Sequence, residues 1–191
     1  PDEADHWYIT PHGHTMVVFR GPRTIQVGSP PEEPNRDSDE TIVTREIARS
    51  FAVCTTEVTL EQFLKYLPGF RHRNSPYSPT PDCPVVMLTW HRAAEYCNWL
   101  SEQEGIPKDQ WCFLPNKGGE YAEGMRLAPD YLSRVGYRLP TEAEWEHAAR
   151  AGTWTPYAHG QSPARLPEYA WFLENAKKTM NPVGRLKPND L

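Results

Sequence analysis

At 191 residues the chain is long enough for one domain with a real core, although its apolar share is a modest 38 %. A formal net charge of −5 argues against a nucleic-acid or anionic-membrane surface. No apolar run approaches the roughly 20 residues needed to cross a bilayer. Twenty prolines imply many turns and irregular connections, which seven tryptophans can hold together through large buried surfaces.

Residues 1–14 read as a polar N-terminal arm with an aromatic pair, Trp7 and Tyr8, and three histidines, His6, His12 and His14. A metal site needs three or four rigidly held ligands, so these histidines are expected to be solvated. Strands are predicted near 15–19, 24–27 and 41–57, where Val, Ile, Thr and Phe dominate. Residues 28–40 and 69–84 read as solvated loops. Thr59 and Gln62 form a capping box that opens a short helix, stopped at Pro68-Gly69. A second helix is predicted over 90–104, with Ala93, Cys97 and Leu100 on one face and Gly105 ending it. Farther on, Trp111-Cys112-Phe113 resembles a small strand, Asn116-Lys117-Gly118-Gly119 signals a turn, and 128–135 suggests a short helix.

The string Gly136-Tyr137-Arg138-Leu139-Pro140-Thr141-Glu142-Ala143-Glu144-Trp145-Glu146 is the most informative part of the chain. Thr141 is a natural N-cap whose hydroxyl can accept the Glu144 N–H, while the Glu144 carboxylate reaches back to the Thr141 N–H. Glu142 and Glu144 also place negative charge at the positive end of the helix dipole, and Gly152 is the expected C-terminal stop. Trp90, Trp99 and Trp145 are the expected core anchors beneath the two longer helices, and His147 reads as a packing residue.

That string closely resembles the signature of the formylglycine-generating-enzyme family, also called sulfatase-modifying factors. Ile25-Gln26-Val27-Gly28-Ser29 is similar to the family's "M-G-S" element. Glu57-Val58-Thr59-Leu60-Glu61-Gln62-Phe63 is similar to its "E-V-T-x-x-Q-F". Pro84 to Trp90, followed by Ala93 to Leu100, resembles "P-V-x-x-V-S-W-x-D-A-x-x-Y-C-x-W", and Asn181-Pro182-Val183-Gly184 resembles the lead-in to the C-terminal third. The resemblance implies an α+β fold, C-type-lectin-like and formylglycine-generating-enzyme-like, with few regular elements and much coil. It divides the chain into the arm, 1–14, and a domain over 15–191 that is incomplete at its C-terminus and carries an insertion at 106–135. The insertion reads as a surface hairpin covering the core, or as a recognition surface.

Four cysteines occur, Cys54, Cys83, Cys97 and Cys112, without a C-x-x-C pair. Cys54 and Cys97 read as small buried hydrophobes, a Cys97–Cys112 bridge stays open, and a reduced, cytoplasmic chain is the better expectation. In secreted members the cysteine at the place of Cys97 pairs with one in the C-terminal third. Relatives that make sulfoxides in ergothioneine biosynthesis use an H-x-x-x-H-x-E motif, which this sequence lacks. Formylglycine-generating members hold structural calcium, which the resemblance carries to Asn175 and the carbonyl of Ala176; Asx hydrogen bonding of a turn is the alternative for Asn175.

The family pattern would continue past Leu191 with "G-L-x-D-M-x-G-N-x-W-E-W", "R-G-G-S-W" and the copper-binding cysteine pair. Copper is therefore expected only if such a segment exists, and no catalytic residue is expected among the 191. The resulting expectation is a non-catalytic binding or regulatory module, covered by a protein partner or by its own C-terminal segment. The alternative is a fragment of a copper- and oxygen-dependent oxidoreductase that converts cysteine to formylglycine in sulfatases.

Overall fold

A computed structural model describes residues 7–33, 36–71 and 76–190. His6 and residues 34–35 and 72–75 of the two expected loops lie outside the described residues. In chain order the elements are β1 (Trp7–Ile9), β2 (Thr15–Phe19), β3 (Arg23–Val27), β4 (Val43–Ile47) and β5 (Phe51–Cys54), then α1 (Leu60–Tyr66) and α2 (Trp90–Gln103). They continue with β6 (Phe113–Leu114), β7 (Arg126–Leu127) and α3 (Glu142–Arg150), with short 3-10 turns between them. The chain divides into two compact units.

The first unit holds the described residues of 1–10, 14–56 and 140–190. Its strands form an antiparallel sheet in the order β1-β2-β5 and a separate antiparallel pair, β3-β4. The β2–β5 register places Phe19 opposite Phe51, and their rings stack at 4.8 Å. These two residues, with Ile25 and Ile47, make a core on which Val17, Val27, Val53, Ala143 and Ala148 pack. Residues 7–9 of the expected arm pair with β2 as a strand and stay exposed, whereas His14, expected to be solvated, is only 3 % exposed in the turn that follows. That turn closes because Thr10 N–H donates to the His14 carbonyl, while His14 N–H donates to Thr10 Oγ1.

Helix α3 opens as its sequence predicts. Thr141 Oγ1 accepts the Glu144 N–H at 3.3 Å, and Glu144 Oε2 accepts the Thr141 N–H at 2.8 Å. The left-handed stop begins one residue early, at Ala151 (φ 50°), and continues into Gly152 (φ 79°). Trp145 is not a core anchor: it is 62 % exposed. Residues advance about 100° round a helix, so Glu144 and His147 fall between Ala143 and Ala148 on the packed face, and Trp145 lies off it. Two polar side chains thus occupy the inward positions, and the tryptophan does not.

The second unit holds residues 11–13 and the described part of 57–139. The capping box of α1 is formed: Thr59 Oγ1 accepts from Gln62 N, and Gln62 Oε1 accepts from Thr59 N. Thr89 caps α2 by its hydroxyl alone, Oγ1 accepting the Arg92 N–H at 3.2 Å. The buried face of α2 is wider than the predicted stripe and includes Ala94, Tyr96, Cys97, Asn98, Leu100 and Ser101. Phe63, Phe70, Tyr96 and Leu100 form one core cluster, with Trp99 half-buried against it. Trp99 thus packs as expected, whereas Trp90 is 49 % exposed and touches Phe113 only edge-on. As the first residue of α2, Trp90 has no preceding helical turn to cover it.

A second cluster, Ala94, Cys97, Cys112 and Phe113, joins α2 to residues 106–135. This stretch is a hairpin, β6 against β7, whose inner residues Cys112, Phe113 and Ala128 are fully or nearly fully buried. It therefore supplies core as well as surface. Asn98 locks it to α2: its Nδ2 donates to the Phe113 carbonyl and to Tyr121 Oη, at 2.6 and 2.8 Å. Asn116 makes the predicted turn by accepting the Gly118 and Glu120 N–H groups on Oδ1. The helix expected at 128–135 shrinks to one 3-10 turn, Tyr131–Ser133.

Candidate functional site

The groups that could carry sulfur or metal chemistry are the four cysteines, and all are free thiols. Cys54 sits on β5 with Sγ 3.2 Å from Met16 Sδ, and burial pushes its pKa up to about 11. Cys112 donates to the carbonyls of Gly136 and Tyr131, and burial raises its pKa despite Arg138 and Arg134 nearby. Cys83 is fully buried, with Thr80 Oγ1 at 3.1 Å. Cys97 lies in the cluster shared with Cys112, and no bridge joins them. Metal binding and nucleophilic attack both need the thiolate, and burial of Cys54 and Cys112 holds them as thiols.

The histidines separate. His12 belongs to the second unit, where its ring meets Trp99 edge-on at 5.1 Å, and His14 belongs to the first. Among the described residues there is no group of three or more His, Cys, Asp or Glu side chains placed to hold a metal ion. His147 packs as expected against Phe19, at 5.4 Å between centroids, and also lies 3.1 Å from Arg23 Nη1. Since the guanidinium donates, His147 Nε2 accepts.

Asn175 closes a turn: its Oδ1 accepts the Phe172 N–H at 2.7 Å, and its Nδ2 donates to the Ala170 carbonyl at 2.9 Å. The Ala176 carbonyl accepts from Thr179 N and, at 3.4 Å, from Asn181 Nδ2. Ca²⁺ takes six to eight oxygens. This pair supplies two, and both already accept N–H donors.

The most strongly constrained polar group is one whose sequence signal indicated only a helix cap. Glu144 is 1 % exposed, and besides capping α3 it accepts Arg49 Nη2 on Oε1 at 2.6 Å. Two residues on, Glu146 Oε1 accepts the Gly28 N–H and Arg150 Nε, and Arg150 Nη2 donates to the Gly28 carbonyl. The Gly28-Ser29 turn is thereby tied to α3 by two side chains. No local signal in the sequence reveals these partners, because they lie 95 to 122 residues away.

The sheet-and-helix arrangement with its capped signature helix defines a class that comparison makes specific. A family profile described as the sulfatase-modifying factor enzyme 1-like domain matches residues 9–191. The chain belongs to that family. Among curated proteins it is 30 % identical over 132 residues to the chaperone protein LppX of Paenibacillus barcinonensis, covering 56 % of this chain and 46 % of that protein. It is 29 % identical over 134 residues to the formylglycine-generating enzyme of Mycobacterium tuberculosis strain H37Rv, covering 59 % of this chain and 45 % of the enzyme. The matches thus span about half the length of these relatives. Among solved structures, PvdO from Pseudomonas aeruginosa superposes with a TM-score of 0.70 at 19 % identity, over all of this chain and 70 % of PvdO. CarF superposes at 0.57 with 22 % identity, over 90 % of this chain and 75 % of CarF. At such identities these two likenesses concern the fold. Among the described residues no helix is long and apolar enough to cross a membrane.

Proposed function

We propose that these residues act as a binding or regulatory module on a formylglycine-generating-enzyme-like scaffold and engage a protein partner. The observation that carries this reading is the state of the thiols within these residues: burial disfavours the thiolate of Cys54 and Cys112, so neither is offered as a copper ligand. A copper oxidase of the family's kind needs a thiolate pair, because Cu(I) prefers soft sulfur ligands. The similarity to a protein named a chaperone supports a binding role, and each unit exposes large apolar side chains, Met87 and Trp90 in the second, Trp145 and Trp171 in the first. The scaffold is of the C-type-lectin-like kind, which presents loops on a compact core.

The similarity to a formylglycine-generating enzyme favours the second reading, part of a copper- and oxygen-dependent oxidoreductase acting on sulfatase cysteines. One experiment puts the first reading at risk. The purified chain is incubated with Cu(I), oxygen and a cysteine-containing sulfatase peptide, and the peptide is weighed by mass spectrometry. A binding module leaves the thiol intact, and conversion to the aldehyde refutes it. Calcium belongs to the proposal only as a structural ion at Asn175 and Ala176, with further oxygens completing its shell. A rise in Tm on adding Ca²⁺ that Asn175→Ala abolishes would support it, and an unchanged Tm would remove calcium from the proposal.

A further inference from the structure

A cleft of about 340 Å³ in the first unit belongs to none of the readings above, and its borders include Thr24 and Gln26 of β3, Thr44 of β4, His147, Arg150 and Trp154. Its volume lies at the low end of the roughly 300–1,000 Å³ typical of small-molecule sites. The β3–β4 register sets Gln26 directly opposite Thr44, with Thr24 two residues along the same face. Among the described residues, the side chains of Thr24, Gln26 and Thr44 make no hydrogen bond. Trp154 is 46 % exposed, and its indole N–H likewise has no partner among the described residues.

Charge narrows the ligand. Arg150 is the one formally charged side chain on the lining, and Glu146 matches it at 2.7 Å while the Gly28 carbonyl takes a second N–H. An isolated phosphate or carboxylate would find no uncompensated cation there. The cleft offers instead two unbonded hydroxyls, from Thr24 and Thr44, and the Gln26 amide beside the half-exposed indole of Trp154. A pyranose ring presents complementary features: C–H groups on one face for the indole, and hydroxyls around the rim that donate and accept.

We propose that this cleft binds a neutral sugar ring, stacked on Trp154 and held through its hydroxyls by Thr24, Gln26 and Thr44. The proposal stands apart from the function proposed above, and the copper assay does not bear on it. The test is saturation-transfer NMR on the whole chain with a panel of methyl glycosides of glucose, galactose, mannose and N-acetylglucosamine, with inorganic phosphate as competitor. The expected result is transfer to the ring C–H protons of at least one glycoside, undiminished by phosphate. Trp154→Ala should weaken binding by about tenfold while Trp154→Phe retains most of it. Gln26→Ala should weaken it by about threefold through loss of one neutral hydrogen bond. Far-UV circular dichroism checks that each variant is folded. No transfer from any glycoside, transfer that survives Trp154→Ala in the folded variant, or displacement by phosphate would overturn the proposal.

Discussion

Glu144→Gln changes one buried carboxylate into an amide of the same shape and so isolates its charge. The native group is 1 % exposed and accepts two N–H donors, Arg49 Nη2 at 2.6 Å and the Thr141 backbone at 2.8 Å. An amide offers one oxygen and one NH₂, so at least one of these contacts becomes donor against donor. A hydrogen bond to a charged group contributes about 1.5–3 kcal/mol. Removing one partner of a buried pair costs about 3–5 kcal/mol, and Arg49, at 26 % exposure, recovers some hydration in the variant. Arg49 Nε is already buried without a partner, which limits how far its head can turn to find another. The expected loss is therefore about 3 kcal/mol. Thr141→Ala removes only the cap, at about 1 kcal/mol. In a chain of this size, with roughly 2–4 °C per kcal/mol, the Tm should fall by about 6–12 °C in the first variant and about 2–4 °C in the second. Urea unfolding with an unchanged m-value measures both, and a double variant with Arg49→Met should be less destabilised than Glu144→Gln alone. If Glu144→Gln costs no more than Thr141→Ala, the buried ion pair does not hold α3 in place and the argument for its polar inner face fails.

Alkaline pH should destabilise the fold, with Cys54 and Tyr66 contributing over overlapping ranges. Burial raises Cys54 from 9.0 to about 11, so the unfolded chain loses that proton first; its stabilising contribution is complete below pH 9 and falls away between 9 and 11. Tyr66 is raised from 10.0 to about 12, chiefly by burial, and adds a second decline between those values; Cys54→Ala and Tyr66→Phe should each flatten part of the decline in a pH series of urea midpoints. Asn98→Ala should cost about 2–3 kcal/mol, since it leaves the buried Phe113 carbonyl unpaired, and amide exchange in the 106–135 hairpin should quicken. Met87 holds a left-handed φ of 59° while 67 % exposed, so Met87→Gly should raise stability by about 0.5–1 kcal/mol, read as a higher urea midpoint.

Features settled within a few residues of chain were legible without the fold. The capping boxes at Thr59 and Thr141 span three residues, so their donors and acceptors meet as soon as the helix turns. The turn at Asn116 and the β2 strand follow equally from local pattern, and the ordered family motifs point to the fold and family that the comparisons establish. Inwardness was not legible. Trp145 looked like the core residue of α3, yet the small Ala143 and Ala148 allow close packing, and Glu144 and His147 turn inward because Arg49 and Arg23 meet them there. A buried carboxylate is tolerable only with such a partner, and that partner lies 95 residues earlier in the chain. The cleft at Trp154 likewise brings together residues of β3, β4 and the end of α3 that are far apart in sequence. Hydrogen bonds between near neighbours are encoded locally, whereas desolvation depends on what the rest of the chain brings alongside, and that was decided by tertiary packing alone.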